Sequence, residues 1–386
     1  MTGYATPSNT IPLSIPIDGG LLCLLVCHVT ARIHVWDTPD CIGIPDRYSP
    51  KVEAAFLRSG VHCRIQKKWP ESSAALLLKR PAVVRVGAKI YDALFLRRHA
   101  QSLLSCVAPG DVVWVNGNLE ASAKSPCHVE KALVQLGARY LYHLEDNWLD
   151  VPFLRQGCVE RIRMAAAVGV VTPMLRERVL REFPEKRVLL LEEAIDTDRF
   201  EASQTGTSTD LPVVVWTGRP GNLRHLTQAA DVLATVYRQQ QFCLRVLTGT
   251  RKPGLLLPVP WEWRAYSCTN EAANVRGAVA GLAWFEDTPY NACKGNYKIK
   301  TYLAAGIPPI TTATGYNNVL VQPGKTGFLV DSAGQFGAAI LELLQKPELA
   351  STMGRQAHAD MITRFSPGNL VPKWMETLHS CFPDFQ

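Results

Sequence analysis

Short apolar runs alternate with amphipathic segments along most of the chain, the arrangement of parallel strands joined by crossover helices. In the first half, LLCLLVC (21–27), VHCRI (61–65), VVWV (112–115), RYLYHL (139–144), VGVV (168–171) and RVLLL (187–191) read as strands. Between them, SPKVEAAFLRSG (49–60) carries Ser49 as cap, Pro50 at the first helical position and Gly60 as stop. TPMLRERVLREF (172–183) repeats the device with Thr172 and Pro173. In the second half, strands are predicted at VVVWTG (213–218), FCLRVLTG (242–249), VAGLAWF (279–285), PPITT (308–312) and GFLV (327–330). The spacing predicts helices over 223–240, 297–305, 334–345 and 369–382.

At 386 residues the chain exceeds one ordinary core. The segment EASQTGTSTD (201–210) is polar, lacks large apolar residues and reads as an interdomain linker. The predicted fold is therefore α/β: two Rossmann-like doubly wound parallel-sheet domains, 1–205 and 206–366, facing a cleft. Ligands of open parallel sheets bind at the carboxyl ends of the strands, which such an arrangement turns toward one another.

Composition changes this picture little. Charged residues make up 19 % of the chain, low enough to suit much buried sheet. The net charge of +7 is compatible with an anionic ligand, a phospholipid surface or nucleic acid and selects none of them. The eleven cysteines include no C-x-x-C pair, which argues against a zinc site or disulfide framework and for buried thiols in a reducing compartment. The first basic residue is Arg32, and LLCLLV (21–26) is too short to cross a bilayer. The expectation is a cytoplasmic protein whose membrane contact, if it has any, is peripheral on the inner face.

Candidate chemistry centres on NACKGNYKIKTYLAAGIPPI (291–310). Asn296 suits an N-cap, Gly306 a helix stop, and Pro308 forbids continuation. Lys294, Lys298 and Lys300 crowd the start of that helix, where the backbone dipole is already positive. An anion resolves the conflict, because helix-opening amides and cations then serve the same charge. Gly295 lets the backbone approach a phosphate, while Lys300 reads as a solvated lysine. An ATPase-type phosphate loop is excluded: PGKTG (323–327) has Val319 where that motif needs its first glycine. WTGRPGN (216–222) closes a strand with a turn at Gly218 and Gly221 and a fixed charge at Arg219.

With those residues in hand, the stretch from Val259 to Ser366 resembles the donor-binding domain of GT-B fold glycosyltransferases, most of all family 4, the retaining enzymes. The resemblance is carried by PWEWRAYS (260–267), EDTPYNACKGNYKIKTYLAAGIPPITT (286–312), the Gly-Tyr pair at 315–316, PGKTGFLV (323–330) and ELLQKPELASTMGRQA (342–357). In the first half, LYHLEDNWLDVP (141–152) and the segment 170–200 resemble the acceptor-side domain. The resemblance implies that Gly295, Asn296, Lys294 and Lys298 hold the donor diphosphate, with Gly218 and Arg219 over the same phosphates. It places Trp263 to Tyr266 beside the nucleobase and 367–386 as a helix crossing back to the first domain. It also implies retention, no dedicated metal and no cofactor beyond the nucleotide-diphospho-sugar itself, Lys298, Arg219 and helix amides stabilising the departing diphosphate. Many members hold the ribose with the second of two glutamates; Cys293 and Thr301 stand at those positions here, so Thr301 offers a neutral hydroxyl instead of a charged acceptor.

The loop HLEDNW (143–148) follows a strand and should face the cleft. Glu145 and Asp146 are candidates to position an acceptor hydroxyl or act as base, and His143 to sit near the donor's sugar; solvated loop carboxylates and a histidine paired in the sheet edge stand as the equal alternative. The expected partners are a nucleotide-sugar donor and a glycan, lipid-linked or small-molecule acceptor, without nucleic acid, since no interleaved aromatic and basic stripe is present. A nucleotide-sugar 2-epimerase on the same fold and a non-catalytic nucleotide-sugar-binding subunit are the competing readings.

Overall fold

A computed structural model describes residues 13–17, 20–24, 32–37, 50–59, 61, 63–67, 97–117, 128–200, 211–267 and 269–383. The linker read at 201–210 lies outside them, as does Cys27.

β1 (Leu13–Ile17) and β2 (Gly20–Leu24) form an antiparallel pair. Of the run at 21–27, expected in the parallel sheet, the described residues 21–24 lie in this antiparallel pair instead. IHVWD supplies the missing strand, β3 (Ile33–Asp37), which the apolar pattern did not reveal because His34 and Asp37 interrupt it. His34 is tolerated at 1 % exposure because its Nε2 meets Asp111 Oδ2 at 3.1 Å. After α1 (Pro50–Arg58) come β4 (Cys63–Lys67), β5 (Val112–Asn116) and β6 (Arg139–Leu144). α2 (Pro152–Met164), β7 (Ala167–Val170), α3 (Pro173–Glu182) and β8 (Val188–Leu190) complete a six-stranded sheet of order β4-β3-β5-β6-β7-β8. Every pairing in it is parallel.

The second sheet repeats the logic. β9 (Val213–Thr217) leads through α4 (Arg224–Gln228) and α5 (Ala230–Gln239) to β10 (Cys243–Leu247) and β11 (Trp261–Arg264). The helix predicted over 223–240 is therefore two, broken at Ala229. α6 (Glu271–Val275) precedes β12 (Ala278–Ala283), α7 (Tyr297–Ala304) precedes β13 (Pro309–Thr312), and β14 (Phe328–Val330) closes the sheet. Its order is β11-β10-β9-β12-β13-β14, again all parallel. β5 and β9 are buried along their whole length, as strands covered by helices on both faces must be.

α8 (Ala333–Gln345) and α9 (Pro347–Phe365) pack on the second sheet and on α7, and α10 (Pro367–Cys381) turns back onto α1. Trp374 of α10 meets Trp114 of β5 edge-on at 5.4 Å, and its indole N–H donates to Glu192 O at 3.1 Å. One apolar cluster runs from Trp114 and Leu141 through Trp374 to Ile299 and Tyr302 of α7. At the crossing between the sheets, Ile195 N donates to Phe365 O at 3.0 Å. In both sheets the strand order reverses beside the first strand, β3 against β5 and β9 against β12, which opens a crevice at their carboxyl ends.

Candidate active site

The second sheet's crevice is built first by the turn after β9. Gly218 is a glycine for steric reasons: a Cβ there would stand 2.6 Å from the Trp216 ring, which folds beneath the turn. That ring carries the next residue of interest. Lys298, in the first turn of α7, holds its ammonium 4.8 Å from the Trp216 centroid and 5.3 Å from that of Phe285. Burial, reinforced by Lys294, pushes the Lys298 ammonium down to about 7. Lys294 lies 4.7 Å over the Tyr290 ring. Among the described residues neither lysine is in an ion pair, although ion pairs are formed by many other cations of the chain.

The turn that opens α7 differs from the expected side-chain cap. Asn296 takes the left-handed conformation (φ 48°, ψ 52°), the one non-glycine residue with positive φ among the described residues, and makes no capping bond. Its amide donates instead to Asn317 Oδ1, and Asn317 donates to Thr312 O at 2.9 Å. The side chain is thus spent on fixing the backbone, and the first amides of α7 stay available to a ligand. Gly295 backs onto the first sheet's side: a Cβ there would lie 2.9 Å from Glu193 Oε2.

Lys300 is a correction. Expected in solvent, it is fully buried, donates to Glu193 O at 2.8 Å and sits 4.3 Å over Phe365. Thr301 is likewise fully buried, with its hydroxyl directed to Glu271 Oε1 at 3.4 Å rather than open to the cleft. Trp263 is a strand residue of β11 whose indole donates to Thr248 O at 2.8 Å, and Tyr266 N donates to Gly249 O at 2.9 Å, clasping the ends of β10 and β11 together.

From the first sheet, β6 ends at Leu144 and delivers Glu145 and Asp146, both half-buried. Asp146 is pushed up to about 6, chiefly by burial, with Glu145 and Glu193 adding to the rise and Lys294 and Arg219 opposing it. The Tyr290 phenol, bonded to Asp146, is pushed above its ordinary value by burial and by that carboxylate. Asp146 of one sheet therefore stands among Arg219, Tyr290 and Lys294 of the other. His143 does not join them: it is 1 % exposed inside β6, with its ring edge on Trp114 at 5.2 Å and against Gly169. Tyr290, Glu193 and Glu271 were missed by the sequence reading. The signal for Glu193 was present, a Glu-Glu pair directly after the apolar run of β8.

Two six-stranded parallel sheets with flanking helices and a crevice at their carboxyl edges make this an α/β protein of the GT-B type. No protein-family profile and no curated protein matches the sequence. Among solved structures, the sucrose-phosphate synthase of Thermosynechococcus elongatus is similar with a TM-score of 0.62 at 17 % identity, covering 92 % of this chain and 99 % of that one. Anabaena HepE in complex with UDP-glucose is similar with a TM-score of 0.63 at 14 % identity, over 90 % of this chain and 99 % of that one. A glycosyltransferase of Rickettsia africae is similar with a TM-score of 0.62 at 13 % identity, over 92 % and 99 %. At these identities the likeness establishes the fold, and the chemistry rests on the site.

Proposed function

We propose that the protein transfers a sugar from a nucleotide-diphospho-sugar to an acceptor hydroxyl. One observation carries the reading: Lys298 is held on two aromatic rings at a helix opening, without a carboxylate partner among the described residues and with its ammonium pushed down to about 7. A cation so placed is costly until an anion arrives. A diphosphate supplies that anion, and its charge grows as the glycosidic bond opens, so Lys298, Arg219 and the α7 amides favour the transition state over the ground state. Asp146, across the cleft, is ionised above about pH 6 and accepts the proton of the attacking hydroxyl. Protein cations then meet the leaving charge that a divalent ion meets in other transferases. Retention, membership of family 4 and a hexose as the transferred group follow from the motif resemblance.

The nucleotide sugar seen with HepE makes UDP-glucose the first donor to try, beside GDP-, ADP- and TDP-sugars, in a thermal-shift panel. A rise in melting temperature with one nucleotide series supports the reading, and a flat response across all four overturns it. Incubating the bound sugar without acceptor separates transfer from epimerisation, since only an epimerase alters the sugar under those conditions.

A further inference from the structure

One buried side chain beside Lys298 has no part in the chemistry above. His225 of α4 is 7 % exposed, and its ring lies 6.4 Å from Phe285, the ring that also carries Lys298. Gln228 hydrogen-bonds the imidazole, yet Nδ1 has no partner among the described residues. An unsatisfied ring nitrogen at such depth is unfavourable. The charges facing the ring are Lys298 from α7, Arg224 from its own helix and Glu286 from the segment after β12, with Lys294 one step further behind Lys298. Burial first, then Lys298 and Arg224, hold the imidazole below its ordinary value, while Gln228 and Glu286 pull the other way.

We propose that His225 is a third ligand of the donor's diphosphate: as a phosphate settles beside Lys298, the imidazole turns to bring its shielded, unpartnered Nδ1 to that phosphate and takes up a proton. The inference rests on the nucleotide-sugar reading. No bond to carbon forms or breaks in this step; a proton moves from water to the imidazole, and the imidazolium donates a hydrogen bond to a phosphate oxygen. An incoming anion reverses the local balance, because the charge that opposed protonation of His225 is then neutralised. Trp216 and Phe285 keep water away from the pair, so the added cation acts in a poorly screened setting.

The test is calorimetric titration of the full chain with UDP and with inorganic pyrophosphate, in two buffers of different ionisation heat. At about pH 6.5 the wild-type protein should take up protons on binding either ligand. His225→Gln should lose most of that uptake and bind about tenfold more weakly at that pH, with less than about a twofold difference at pH 8.5, where a neutral imidazole adds little. Equal weakening at both pH values would mark a packing role and overturn the inference, as would unchanged affinity and proton count. A wild-type protein that binds without taking up protons near pH 6.5 overturns it with no variant needed. Failure of the wild type to bind either ligand at any pH brings down the nucleotide-sugar reading, and this inference with it.

Discussion

The carboxyl edges of the two sheets carry opposite charge. On the first, Glu145 and Asp146 follow β6 and Glu193 follows β8; on the second, Arg219 follows β9 and Lys294 and Lys298 flank the opening of α7. The folds are alike, both open parallel sheets reversing beside their first strand, so the contrast belongs to the loops. On the proposed function it gives the halves different tasks. The cationic edge suits a leaving phosphate, and the acidic edge suits a hydroxyl that must shed its proton.

The largest expected effect comes from breaking the cationic side. Lys298→Ala should lower turnover of the preferred donor by about 1,000-fold, a loss of the order seen when a group aimed at developing charge is removed. Its melting temperature should not fall. The folded protein holds this proton less tightly than the unfolded chain, so the unfolded state binds more protons between the two values and the lysine's contribution to stability improves as pH rises from about 7. A large drop in melting temperature with unchanged turnover would reverse the assignment.

Asp146→Asn, on the acidic side, should cost about 100-fold in transfer at neutral pH. In the wild type, protonation of Asp146 removes the base, so transfer should decline as pH falls through about 6, and the asparagine variant should lack that limb. A pH–rate profile of both proteins decides it.

Lys300 sharpens the comparison by contrast with its neighbour. Lys300→Met should leave donor affinity within about twofold while costing about 2–3 kcal/mol of stability, because Glu193 O loses its buried donor. Thermal melts with and without the stabilising nucleotide report both quantities. The smallest effect is expected at the contact between the two edges. Tyr290→Phe removes a hydrogen bond to Asp146, so transfer should fall about threefold and the acid limb should move upward, since the carboxylate loses a donor that favours its charged form.

Much of this is legible in the sequence. The β9 to β14 half announced itself through continuous apolar runs such as VVVWT, and the helix opened by Asn296 was placed to within a residue. What was hidden has specific causes. β3 escaped because a five-residue strand with His34 second and Asp37 last does not look apolar, and Asp111, distant in sequence, makes the burial of His34 acceptable. WEWR looked like pocket lining because a short edge strand rich in tryptophan gives no alternation to read. Lys298 and Lys300 look equal as residues, yet two helical positions differ by about 200°, so one faces the cleft and the other the core. The acids Glu193 and Glu271 gain meaning only from what lies across space, Gly295 and Thr301, more than two dozen residues away in each case.

The bond from Ile195 to Phe365 has a mechanical meaning. Ile195 precedes the passage from the first sheet to the second, and Phe365 ends α9, one residue before α10, which makes the return journey. Outgoing and returning strands of chain are thus pinned side by side at one place, like the rivet of a pair of tongs. A hinge motion of one half against the other about that point would leave Ile195 and Phe365 nearly still and carry Asp146 and Arg219 through a larger arc. On the proposed function, loosening the rivet would change the rates of donor binding and product release while leaving the residues assigned to the phosphates in place.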